Sequence, residues 1–153
     1  MSLNKIIEIK DLNARFDDRK VLSDISLKIY ENQITVILGG SGSGKTTLLK
    51  HIIGLYPVND GIVEILGKNW NDLDQDEQKS LYLKMGVFYQ NGALINSMTV
   101  GENVALPLQQ HSGLSDDLIE RLVRLKLSLV NIEYAMSLYP SQLSGGMLKR
   151  AAL

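Results

Sequence analysis

The stretch Gly39 to Thr47 reads Gly-Gly-Ser-Gly-Ser-Gly-Lys-Thr-Thr and follows the apolar run Ile34-Thr35-Val36-Ile37-Leu38. It fits the pattern G-x-x-x-x-G-K-[ST], with Gly39 and Gly44 framing the loop, Lys45 as the lysine and Thr46 as the hydroxyl residue. Glycines let the backbone curl so that the N–H groups of Gly40, Ser41, Gly42 and Ser43 point inward at an anion. A helix running on through Thr46 and Thr47 adds the positive end of its dipole. In such a cradle Lys45 supplies a point charge to β- and γ-phosphates, and the Thr46 hydroxyl ligates Mg²⁺. A glycine-rich turn that merely joins a strand to a helix is the bland alternative. The apolar run before the loop and the helical pattern over 46–53 after it favour the phosphate cradle.

Three further places carry chemistry on weaker grounds. Phe16 sits beside the polar turn Asp17-Asp18-Arg19-Lys20, where an aromatic is ordinarily packing. Gln90 follows Met85-Gly86-Val87-Phe88-Tyr89, which reads as a buried strand, and ligands of open α/β sheets sit at the carboxyl ends of strands. A solvated loop glutamine is its plain alternative. Leu143-Ser144-Gly145-Gly146 precedes a run of strong helix formers, so Ser144 is an N-cap candidate beside free N–H groups. That arrangement is either a second anion site or an ordinary capped helix.

The elements that must position these residues are legible in outline. Residues 6–9 and 25–30 alternate as strands on either side of the 17–20 turn, which predicts an N-terminal antiparallel sheet. The apolar run 34–38 predicts a buried strand. After a turn over 57–61, residues 62–66 predict a further strand ending at Gly67. Asp74 with Glu77, and Thr99 with Glu102, are capping-box pairs, and the second opens a helix expected to stop near Pro107. Ser115 is expected to cap another helix, with Leu118, Leu122, Leu125 and Leu129 facing a core. The expected organisation is one domain over 4–153, with the sheet and loop core at 4–98 and a helical subdomain at 99–153.

With 153 residues, 44% hydrophobic and 22% charged, the chain suffices for a domain with a real core. Sixteen basic and seventeen acidic residues leave a net charge of -1, which recommends neither nucleic acid nor an anionic membrane as partner. The absence of cysteine excludes a disulfide framework and cysteine-ligated zinc. No apolar run reaches the length of a membrane span, so a membrane role is expected to be peripheral. Met1-Ser2-Leu3 is assigned no structure.

The phosphate loop, Gln90 and the later Leu-Ser-Gly-Gly together resemble the nucleotide-binding subunit of ATP-binding cassette (ABC) transporters. The resemblance implies an α/β P-loop NTPase fold with an antiparallel β sheet at its start and a helical subdomain. By position, Phe16 matches the aromatic that stacks on adenine, and Gly39 to Thr47 match the ATP-binding Walker A loop. Gln90 matches the residue near Mg²⁺ and the γ-phosphate. Ser144, Gly145 and Gly146 match the signature that grips the γ-phosphate of ATP held by the opposite protomer. Lys45 and Gln90 would then serve catalysis, and Thr46 and Gln90 the metal. Implied partners are a second nucleotide-binding domain, a transmembrane permease and a lipid-transfer component, with no nucleic acid. The implied location is the cytoplasmic face of the bacterial inner membrane.

Met147 stands where the family usually has glutamine, and a thioether cannot replace an amide's hydrogen bonds. Leu-Ser-Gly-Gly-Met, with Gln90-Asn91-Gly92-Ala93-Leu94 and Val104-Ala105-Leu106-Pro107-Leu108, is similar to the ATPases of Mla/Mce-type systems, which implies phospholipid transport. The family's strand with a Mg²⁺-binding aspartate and catalytic glutamate, and its later switch histidine, have no match here. His51 and His111 lie in other contexts. The resemblance thus covers about the first three-fifths of such a domain, and these residues alone are expected to bind ATP without turnover. A DNA-repair type of ABC ATPase would insert long coiled coils between Gln90 and Ser144, and no sustained heptads are there. A P-loop kinase or GTPase would leave the Leu-Ser-Gly-Gly segment as coincidence.

Overall fold

The computed structural model describes residues 4–90 and 92–153, so Met1 to Leu3 and Asn91 lie outside the described residues. The chain forms two compact units that meet in sequence between Gly86 and Val87.

The first unit is built on a long hairpin, β1 (Lys5–Phe16) and β2 (Arg19–Tyr30), with β3 (Asp60–Ile65) and the short β4 (Lys68–Asn69) added. The sheet order is β2-β1-β3-β4, and every pairing is antiparallel. Asp17, at φ 51, makes the hairpin turn that the charged stretch predicts. Both strands run further than the short alternating patterns suggest. The alternation is broken near Asp11 and Asp24, which take φ 49 and shift the register. Side chains bridge this irregular stretch: the Asp24 N–H donates to Asn13 Oδ1 at 3.0 Å, and the Asp11 N–H to Ser26 Oγ at 2.9 Å.

Ile9, Leu12, Val63 and Ile65 turn inward from the sheet to meet Leu48, Ile52 and Ile53 of the helix α1 (Lys45–Ile52) and its end. Trp70 closes this core, its indole N–H donating to the Ile52 carbonyl at 2.8 Å. Glu8 is buried in β1 beside the ammonium groups of Lys5, Lys10 and Lys28. The hydrogen bond from Lys5 leads in pulling its carboxyl down to about 2 from an ordinary 4.5. Helix α2 (Gln75–Tyr82) starts at the anticipated capping box, with both Asp74–Glu77 hydrogen bonds formed.

The second unit is helical: α3 (Val100–His111), α4 (Asp116–Leu129) and α5 (Gly145–Ala151), joined by 3-10 turns at Glu133–Ala135 and Pro140–Gln142. Val100, Ile119, Val123, Leu127, Ile132, Ala135 and Ala151 form its core. The Thr99–Glu102 capping box is complete, and the N–H and O–H of Thr99 hold the Glu102 carboxyl below the usual carboxylate range.

Four expectations fail, each for a physical reason. Residues 34–38 form no strand, and Ile34, Val36 and Leu38 are 95%, 68% and 86% exposed. Residues 85–89 form none either, and Val87, Phe88 and Tyr89 are exposed. Continuous apolar runs suit strands covered on both faces, and a strand exists only where a neighbour completes its ladder. Among the described residues neither run has a ladder partner.

Helix α3 does not stop at Pro107 but carries it inside. Pro107 is exposed, so water can donate the hydrogen bond that proline cannot give to the carbonyl one turn earlier. On α4 the core stripe is Ile119, Val123 and Leu127, while Leu118, Leu125 and Leu129 face outward. Both sets have helical spacing, and only the packing partner chooses between them. Ser115 does stand at the N-cap of α4, though its side chain makes no capping bond.

Candidate functional site

The loop before α1 is shaped by its glycines. Gly44 is the N-cap of α1 at φ 92, a left-handed conformation costly to any side chain. A Cβ there would also meet Leu22 Cδ2 at 2.9 Å and the Val21 carbonyl oxygen at 3.0 Å. At Gly39 a Cβ would come within 2.6 Å of Ser43 Oγ. At Gly44 a side chain is therefore excluded by both the backbone conformation and β2, whereas at Gly39 the Ser43 hydroxyl would have to turn aside.

Lys45 points back into this loop. Its ammonium donates to the carbonyl oxygens of Gly39 at 2.8 Å and Gly40 at 2.7 Å, and to Ser43 Oγ at 3.3 Å. The charge thus sits at the N-terminal end of α1, where its dipole also favours an anion. Thr46 is exposed on the first turn, and Thr47 is half-buried. Gly40, Ser41, Gly42 and Ser43 are all exposed. Among the described residues no group of three or more His, Cys, Asp or Glu could hold a metal ion.

Phe16 ends β1 in the same unit, 42% exposed. Its ring meets Tyr56 edge to face, with centroids 5.3 Å apart. Tyr56 in turn meets His51 of α1 at 5.5 Å. Nothing in the residue spacing marks Tyr56 or His51; the available signal was only that His51 stands one helical turn after Thr47, whose carbonyl its Nδ1 contacts at 2.8 Å.

Gln90 and the Leu-Ser-Gly-Gly segment belong to the second unit. Gln90 is exposed at the start of an irregular loop. Asn103 ties that loop to α3: it accepts from the Ile95 N–H at 2.7 Å and donates back to the Ile95 carbonyl at 3.1 Å. Gly92 lies against α5, since a Cβ there would meet Ala152 Cβ at 3.2 Å and the Leu148 carbonyl oxygen at 3.3 Å. The structure thereby brings the loop after Gln90 to the helix that carries the Leu-Ser-Gly-Gly segment. Ser144 is the N-cap of α5, its Oγ accepting from the Met147 N–H at 3.3 Å. Gly145 and Gly146 are exposed on the first turn, with nothing within 4 Å of an added Cβ.

Comparison with known proteins follows the same lines. Residues 22–153 match the family described as ABC transporter. The chain is 38% identical over 148 residues to the intermembrane phospholipid transport system ATP-binding protein MlaF of Haemophilus influenzae, covering 97% of this chain and 56% of that protein. It is 40% identical over 148 residues to the methionine import ATP-binding protein MetN of Clostridium tetani, covering 97% of this chain and 46% of that one. Among solved structures, the dimeric post-hydrolysis state of the ATP-binding cassette MJ0796 bound to ADP and Pi aligns with a TM-score of 0.85 at 31% identity. That alignment covers 96% of this chain and 67% of that one. The chain thus spans about half the length of the curated relatives it matches.

Proposed function

The chain belongs to the ABC transporter family, and from that premise we propose that it is the ATP-binding part of a subunit that powers lipid transport in a bacterial membrane. The observation that carries the nucleotide reading is the glycine-framed loop closed around the Lys45 ammonium at the start of α1. In this reading Lys45 leaves its carbonyl partners to contact β- and γ-phosphates, while the amides of Gly40 to Thr47 surround them. Thr46 and Gln90 are the residues that would hold Mg²⁺, Gln90 would also serve the γ-phosphate, and Phe16 would stack on adenine. Bound Mg²⁺ supplies charge neutralisation at the phosphates during transfer to water.

Ser144, Gly145 and Gly146 act on the ATP of a second copy, so that two nucleotides are held between two protomers. Phosphate contacts at both motifs favour the closed pair, and loss of the γ-phosphate releases it. The loop from Gln90 to Met98, clipped to α3 by Asn103 and packed on α5 through Gly92, carries that closure to a permease subunit. No helix among the described residues is long and apolar enough to cross a membrane. The resemblance to transporter ATP-binding subunits supports a place at the cytoplasmic face of the inner membrane, on the permease.

Phospholipid is favoured as cargo by the MlaF relatives and by Met147 in the signature. The similarity to MetN keeps an importer of another solute as a second reading. The test is ATP-driven pairing and lipid movement in the full-length protein with its permease. Ser144→Arg is expected to leave ATP binding intact while abolishing the ATP-induced dimer and the transfer of labelled phospholipid between vesicles. A normal dimer in this variant removes the role given to Ser144. Turnover stimulated by another solute, with no lipid transfer, moves the assignment to the second reading.

A further inference from the structure

The cleft beside Phe16 offers more than one exposed ring. It has a volume of about 270 Å³ and is lined by Phe16, Tyr56 and His51, with Asn13, Asn59 and Asp60 at its polar side. Tyr56 does not sit there passively. Its backbone N–H donates to the Lys50 carbonyl at 3.2 Å, and its hydroxyl accepts from Lys50 Nζ at 3.1 Å. The same ammonium lies 4.9 Å from the ring centroid, and the ring edge packs on His51. His51 is buried and anchored in turn to the Thr47 carbonyl. A continuous set of contacts therefore runs from the phosphate-loop helix through His51 and Lys50 to Tyr56, and from Tyr56 to Phe16.

We infer that Tyr56 is a positioning residue for nucleobase binding: fastened to α1 by Lys50 and His51, it holds the Phe16 ring as a stacking platform in register with the phosphate loop. This inference rests on the nucleotide reading above. The physical reason is orientation. A phenylalanine at the end of a strand, half exposed, loses stacking strength if its ring is free to turn, and an edge-on aromatic neighbour fixes one ring orientation. Because the clamp is built on α1, the platform and the phosphate cradle share one rigid support.

The test compares ligands that do and do not carry a base. Binding of Mg-ATP and of Mg-tripolyphosphate is measured by calorimetry for the unsubstituted chain, Tyr56→Leu and Tyr56→Phe. Tyr56→Leu keeps apolar bulk in the cleft, and Tyr56→Phe keeps the ring that meets Phe16. Tyr56→Leu is expected to weaken ATP roughly three- to tenfold and to leave tripolyphosphate unchanged. Tyr56→Phe is expected to restore ATP binding to within about twofold of the unsubstituted chain. Equal loss for both ligands, or no loss for either, overturns the inference, as does failure of the phenylalanine variant to restore binding. If Tyr56→Leu does not fold, a Phe16→Trp probe decides: ATP should quench its added emission, and Tyr56→Phe should leave that quenching intact. Unquenched emission overturns the platform. Should the unsubstituted chain bind neither ligand, the nucleotide reading itself falls, which is a different outcome from loss of base preference alone.

Discussion

Two glycine-bearing junctions lead into helices in this chain, and they differ in what keeps their glycines. At the start of α1, Gly44 is held at φ 92 against Leu22 and Val21, and Gly39 leaves no space beside Ser43. The fold requires Gly44, while at Gly39 the obstacle is the end of one serine side chain. At the start of α5, Ser144 caps the helix from extended backbone, while Gly145 and Gly146 meet nothing within 4 Å of a Cβ. Glycine is a weaker helix former than alanine, and among the described residues nothing packs within 4 Å of where a Cβ would stand at either position. Gly44 is explained by its surroundings, whereas Gly145 and Gly146 stand in open space. That space is where the proposed function sets the phosphate of another protomer's nucleotide.

Substitution separates the two kinds of glycine. Gly44→Ala must strain the backbone and crowd a carbonyl, so urea unfolding should show a loss of roughly 2–4 kcal/mol, with ATP binding lost alongside. Gly146→Ala should do the reverse. Its effect on stability is expected to be a gain of about 0.5–1 kcal/mol with ATP binding by one protomer unchanged, yet ATP-driven pairing of the full-length protein should weaken. Destabilisation by Gly146→Ala, or unimpaired pairing, breaks the contrast.

A smaller effect distinguishes the unit that holds the phosphate loop. The Glu8 carboxyl is lowered in the folded state by its lysines, chiefly Lys5, so it binds its proton less readily than in the unfolded chain. Its contribution is full above pH 4.5 and is lost as pH falls towards about 2. Urea titrations should show Glu8→Gln less stable than the unsubstituted chain at pH 7, with the gap closing in acid. A gap that stays constant with pH assigns the loss to packing instead.

Local signals in the sequence were the most legible. Asp74–Glu77 and Thr99–Glu102 form their capping boxes, Ser144 caps α5, and the Asp17 turn joins an antiparallel hairpin. Each depends on residues within a few positions of one another. What needed a distant partner was not legible. Ile34 to Leu38 and Met85 to Tyr89 have the composition of covered strands, and composition cannot say whether a neighbour is present. The leucines of α4 and its Ile119, Val123 and Leu127 repeat with compatible periods, so the core-facing side is decided by α3 and the 3-10 turn at Glu133–Ala135. At the candidate site, the motif residues announced themselves through fixed spacing. Tyr56 did not, because its significance lies in a ring contact with Phe16 across the fold.

The account stands on Lys45 as the charge that a triphosphate would meet. Calorimetric titration of the chain and of Lys45→Ala with Mg-ATP tests it most directly. Saturable binding by the unsubstituted chain, weakened at least about tenfold in the variant, is the expected result, the loss of one charge-assisted contact being worth that much. Equal affinity in the two, or no binding in either, contradicts the assignment of the Gly39–Thr47 loop as a nucleotide cradle.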